Sequence, residues 1–218
     1  MQRAVNAFSG IAFFLIASAA PSSHAGSGAG PSAHLRPAPG TYKIDQDHTF
    51  AYFAARHHVV GLVRGRFDKA TGTINSSADP AGSSVDITIA AYSVSTQNTD
   101  RDDDLRSPAF FDVEKFPTLT YRGRGIRPIS ANSWIMDGLL TIRGITKVVP
   151  LTFTFNGVFP DTKPGKAARA AFHATASAKR GDFGMTRDNL LELGSSFVGP
   201  DVEIEIDVEA DAASSSPN

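Results

Sequence analysis

His48, His57, His58 and His173 are the side chains best suited to chemistry near neutral pH. Asp45, His48 and His58 together would offer a zinc ion one carboxylate and two imidazoles. Their spacing lacks the pair of histidines four apart on a helix that marks a zinc hydrolase. Polar plugs or surface residues are the plainer role, and no metal is expected. Asp100, Asp102 and Asp104 begin like a calcium loop. Leu105 then stands where the loop needs glycine, and Phe111 stands where it needs a bidentate acid. An acidic helix start explains them better. No nucleophile elbow or Gly-rich phosphate loop is present. The chain has no cysteine, which removes thiolate nucleophiles and thiolate metal sites. No catalytic residue and no cofactor is predicted. Arg56, Arg64 and Arg66 cluster around one hairpin, either as a solvated strand face or as a clamp for an anionic head group.

The elements that must hold these residues are strands. Val202-Glu203-Ile204-Glu205-Ile206-Asp207-Val208-Glu209 is aliphatic on one face and acidic on the other, the period of a half-buried strand. The same reading predicts strands over 41–47, 49–58, 62–67, 72–76, 84–94, 118–129, 133–142, 147–159, 166–179 and 202–210. Residues 68–72 read as a short hairpin, as do 79–82 and 131–133, and 144–146 as a tight one. One stretch reads as helical, 99–113, capped by Thr99 or Asp100. A second short helix would start at Ser107-Pro108, packed through Phe110 and Phe111. Without a helical layer, the sheet must bury its apolar face against itself as a barrel or a sandwich.

The ends lie outside this pattern. Arg3, the apolar run from Ile11 to Ala20 and Ser23-His24-Ala25 read as a secretory signal over 1–25, cleaved after Ala25. As a helix that run spans only about 15 Å, against about 30 Å of hydrocarbon, so no membrane-spanning segment is expected. Residues 26–40 read as a flexible lead-in, 41–210 as one domain and 211–218 as a frayed tail. The formal net charge of −1 gives no support for a nucleic-acid partner.

Alanines at 168, 170, 174, 176 and 178 share one face of a strand with Phe172. Such small residues either let a barrel taper or leave a cavity open, and the pattern supports both equally.

Several motifs follow one another in a familiar order. Tyr42-Lys43-Ile44-Asp45 precedes Asp47-His48-Thr49, then Phe53, His58 and Gly65-Arg66-Phe67. Arg101-Asp102 and Leu105 lead to Phe110-Phe111-Asp112 and Phe116-Pro117. A hairpin runs from Gly138 to Lys147, and Arg180-Gly181-Asp182-Phe183-Gly184 comes near the end. This order resembles the YceI-like family of polyisoprenoid-binding proteins from about 42 to 208. Tyr42 departs from the usual tryptophan, and Asp104 stands where relatives often have histidine. The resemblance implies an all-β, extended, antiparallel, lipocalin-like β-barrel with one or two short helices. It also implies export to the periplasm or beyond, and an isoprenoid ligand such as a polyprenyl phosphate or a quinone.

On that basis the expected function is a non-enzymatic carrier. The predicted lining is Phe50, Phe53, Phe67, Ile87, Ile89 and Leu119, with Trp134, Leu140, Phe153, Phe155 and Phe172. A polar mouth is expected from Asp45, His48, His58, Arg101, Arg180 and Asp182. The two arginines and Asp182 would alternatively close the barrel end structurally. The competing expectation is a redox or hydrolytic accessory that presents its lipid to His48 or His58. A homodimer through an edge strand or the Phe-rich helix is compatible with the pattern.

Overall fold

The computed structural model describes residues 36–58, 60–160, 167–186 and 198–213. The expected signal over 1–25 lies outside them.

The strands are β1 Gly40–Ile44, β2 Phe50–His57, β3 Gly61–Phe67, β4 Ala70–Ser76, β5 Ser84–Ala90 and β6 Val94–Ser95. After helix α1, Thr99–Arg106, come β7 Thr118–Ser130, β8 Ser133–Ile142, β9 Ile145–Phe159, β10 Arg169–Lys179 and β11 Val198–Ala212. All pairings are antiparallel, in the order β1-β4-β5-β7-β8-β9-β10-β11, and β11 pairs back onto β1 to close the ring. Closure removes the edges that an open sheet would expose.

β2, β3 and β6 continue the same wall. β1 pairs with β4 and β2 with β3, while β5 pairs with β4 and β6 with β3. Each of three long strands is therefore broken once, at 46–48, 68–69 and 91–93. The breaks lie level and bond to each other and to β11: Asp68 N–H donates to Ser93 O at 3.1 Å, and Asp45 N–H to Glu209 O at 2.9 Å. This waist corrects the hairpin expected at 68–72. Asp68-Lys69 is a bend within one strand, because β3 and β4 pair with opposite halves of the same neighbours.

The β8–β9 turn is Arg143-Gly144, one residue earlier than expected. Both residues have positive φ, 52° and 73°, the type I′ geometry that matches strand twist. Helix α1 is capped by Asn98, whose side chain accepts the Arg101 N–H at 2.9 Å. The cap thus sits one residue before the expected Thr99. The helix also ends at Arg106, and the expected second helix is a run of turns. There Ser107 O accepts both Phe110 and Asp112 N–H, three and five residues on, so the i→i+4 ladder of a helix is not continued. Phe110 is still buried, and Phe111 meets the Phe67 ring edge-on at 5.3 Å.

β11 runs to Ala212, past the expected end at Ala210, and Ala213 N–H donates to Thr41 O at 2.7 Å. Among the described residues, no helix is long and apolar enough to cross a membrane.

Candidate functional site

Alternation places Ile204, Ile206 and Val208 of β11 inside and Glu203, Glu205 and Asp207 outside. Their partners on β10, Ala176, Ala174 and Phe172, face inward with them. The barrel interior is not filled. Two apolar chambers occupy it, with about 1030 Å³ and 760 Å³ of space, open faces included. Ile87, Leu151 and Ile206 line both chambers, so the two border each other at these side chains.

Phe53, Phe67, Ile87, Ile89, Leu119 and Leu140 line the chamber beneath α1. Trp134, Phe153, Phe155 and Phe172 line the far one, together with Ile87. Trp134 and Phe153 stack with centroids 5.8 Å apart. Ala174 lines the far chamber and Ala176 the near one, so those two alanines border open space. Tyr121 crosses the wall above Gly138, where a Cβ would lie 2.1 Å from its Cζ. Only glycine there lets the ring lie against the sheet and its hydroxyl donate to Val149 O at 3.1 Å. Burial pushes the Tyr121 pKa up.

Phe50 does not line the lumen, which corrects the expectation. It pairs with Asp207 on the outer face and carries the Arg66 guanidinium 5.2 Å above its ring. Phe50 and Phe53 were both expected in the lining. Residues three apart on a strand face opposite ways, and Phe53 is the inward one.

The expected polar mouth is not one site. Asp45 and His48 sit on the outer wall at the waist. His58 lies at the other end of β2, about 26 Å away for an eight-residue strand. That separation also rules out His48 and His58 sharing one zinc ion or one substrate. Asp182 is exposed on the 3-10 turn Arg180–Phe183. Arg180 is buried and donates to Gly199 O at 3.0 Å, Val198 O at 2.8 Å and Met185 O at 2.5 Å. It closes the barrel end through backbone carbonyls. Arg101 is held by Thr96, Nε to Oγ1 at 2.7 Å and Nη2 to O at 3.0 Å.

The waist cluster is an ion-pair network. Arg169 donates to Asp45 at 2.7 Å, Glu209 at 2.9 Å and Asp211 at 2.8 Å. Asp45 also accepts His48 Nδ1 at 2.8 Å. Asp45, His48 and Glu209 place donor atoms within 4.8 Å of one another, as a metal site would. The Arg169 guanidinium bonds both carboxylates and lies 3.4 Å from the imidazole, so it takes the place a cation would need.

Burial alone would raise the Asp45 pKa, but hydrogen bonds from His48 and Asp47 N–H and the Arg169 charge outweigh it and hold it low. The hydrogen bond to Asp45, and then its charge, raise the His48 pKa. The Asp45 contribution to stability is present above its ordinary value and is lost as pH falls through the depressed one. The His48 contribution is present below its ordinary value of 6.5 and is lost as pH rises through the elevated one. An NMR titration of His48 is expected to show a midpoint above 6.5, which Asp45→Asn lowers because the ring loses the carboxylate that accepts its proton. An unchanged midpoint would show that Asp45 does not hold that proton.

Polar groups meet the lumen at a pocket under α1. His57, Arg101 and Asp104 line it with Arg56, beside Phe53, Ala55, Leu105 and Phe110. The near chamber shares those four apolar residues, so the pocket adjoins the lumen. Burial lowers the His57 pKa, and the His58 and Arg101 charges add to the effect. The sequence reading chose His58, yet β2 parity marks His57, since 51, 53, 55 and 57 all face inward. His58 has φ 49° and starts the turn instead.

An eight-stranded closed barrel with an apolar lumen and this order of motifs is matched by known proteins. The sequence profile of the YceI-like domain covers residues 42–210. The chain belongs to the YceI-like family. Protein YceI of Salmonella newport (strain SL254) is 34% identical over 171 residues, covering 77% of this chain and 85% of that protein. A Campylobacter jejuni YceI protein superposes with TM-score 0.61 at 29% identity, over 73% of this chain and 90% of the other. Burkholderia cenocepacia BcnA shares the YceI-like fold with TM-score 0.64 at 20% identity, over 77% and 99% of the two chains. A polyisoprenoid-binding domain from Saccharophagus degradans does so with TM-score 0.60 at 17% identity, over 79% and 98%.

Proposed function

We propose that this YceI-like protein is an exported, non-catalytic carrier that holds an isoprenoid lipid in its lumen. The observation that carries this reading is the pair of apolar chambers inside the barrel, bordering each other at Ile87, Leu151 and Ile206, with the His57 pocket adjoining one of them. The tail lies along Ile87, Leu151 and Ile206, and the head group meets Arg101, His57 and Asp104. The polyisoprenoid-binding domain among its structural neighbours supports the ligand class.

Burying one CH₂ is worth about 0.8 kcal/mol, so a five-carbon isoprene unit contributes up to about 4 kcal/mol before ordering costs. No catalytic step is needed to explain the lumen. The N-terminal signal, cleaved after Ala25, delivers the carrier to the periplasm or the medium.

Native mass spectrometry of the protein purified from its own host, followed by organic extraction, tests both parts. The expected result is a chain starting at Gly26 with a stoichiometric adduct that extracts as a polyprenyl lipid or quinone. A bare mass, with no uptake when such lipids are added back, would sink the carrier reading. A retained N-terminus would sink the export reading alone.

A further inference from the structure

The far end of the lumen is crossed by chain that the alternation pattern leaves out. Arg36 and Pro37 line the far chamber, and so does Pro80 of the 3-10 turn Pro80–Gly82. Pro37 is buried. Successive residues are tied down from neighbouring strands. Arg36 Nη1 donates to Ser77 O at 3.3 Å, Ser76 Oγ to Pro37 O at 3.1 Å, and Tyr42 Oη to Ala38 O at 3.0 Å. The lead-in expected over 26–40 is therefore docked from Arg36 onward.

The composition suits that position. Proline has no N–H, so Pro37 and Pro80 can face an apolar space without burying an unsatisfied donor. Their fixed φ also lowers the entropy lost when the segment is held in place. On the inner side the chamber presents Trp134, Phe155 and Phe172, surfaces that suit the hydrocarbon end of a chain.

We propose that residues 36–39, with the turn Pro80–Gly82, form a fixed stopper that sets the longest isoprenoid chain the barrel holds. This rests on the carrier reading. Hydrophobic burial grows with every added unit and sets no upper length by itself. A wall at the far end does set one. Units beyond it would have to leave the lumen at the head-group pocket and lift the head off its polar partners.

Trp134 is the single tryptophan of the chain and is 3% exposed in the chamber the stopper covers. It reports on the stopper without any lipid. Two altered proteins make the test. One has residues 36–39 replaced by Gly-Ser-Gly-Ser, and the other carries Tyr42→Phe, which removes only the hydroxyl that holds Ala38. Acrylamide quenching of Trp134 is measured on each, together with binding of a ladder of isoprenoid quinones of rising unit number.

In the replaced protein quenching is expected to rise several-fold. The longest chain bound should lengthen by about one unit, since a layer of backbone is about 5 Å thick. Short chains should bind as before. Tyr42→Phe should shift both readouts the same way by less. If circular dichroism shows the replaced protein unfolded, Tyr42→Phe carries the test. Unchanged Trp134 shielding and an unchanged length limit would overturn the stopper. Failure of the unaltered protein to bind any quinone or prenyl phosphate would instead overturn the carrier reading, and the length limit with it.

Discussion

Ile206→Trp is expected to abolish binding of long isoprenoids while leaving the barrel folded. Ile206 lines both chambers, so an indole there stands where the lumen passes from one to the other. Its partners in the sheet are Ala51 and Ala174, small side chains that leave the ring room on the lumen side. Overpacking of this kind costs about 1–3 kcal/mol of stability, which a closed barrel tolerates. Excluding even one isoprene unit removes up to about 4 kcal/mol of burial, on the order of a thousandfold in Kd. Titration with a long and a short isoprenoid quinone checks this. The long one should lose most of its affinity and the short one much less. Equal affinity of the long quinone for both proteins would show that the chain does not run through the lumen. Ile206→Val, which changes only volume, serves as the control.

Arg180→Met should be the most destabilising single change at the barrel end. The guanidinium is 7% exposed and bonds three backbone carbonyls, those of Met185, Val198 and Gly199. It joins the turn after β10 to the start of β11. Methionine fills a similar volume and supplies no donor, so those acceptors lose a charge-assisted partner. Leaving them unmet costs about 3–5 kcal/mol, or a Tm lower by about 10 °C for a domain of this size. Arg180→Lys should recover only part, because a compact ammonium cannot span three carbonyls as a planar fork does. Denaturant melts of the three proteins decide it. A methionine variant as stable as the parent would mean that those carbonyls are satisfied without the arginine.

Much of this wall was readable in the chain because strands have a period of two. Val85, Leu119, Trp134, Leu140, Leu151, Phe155 and Phe172 all point inward, as alternation places them. Strand parity separates Phe50 from Phe53, and it separates His58, which entered through the order of motifs, from the inward-facing His57. Asp104 carries no local signal that puts it beside His57, since α1 and β2 meet only after the barrel has closed.

By itself the sequence determined which segments are strands, which of their faces are apolar, and, through its ordered motifs, the family. Those are local properties, set by the alternation of side chains along each strand and by short runs of turn residues. Only the tertiary structure decided that 68–69 is a bend at a waist, that Asp45 and His48 lie far from His57, and that Arg36 and Pro37 line the far chamber. Each of these depends on which strands become neighbours when the ring closes between β1 and β11, a pairing across the whole domain that no local pattern specifies.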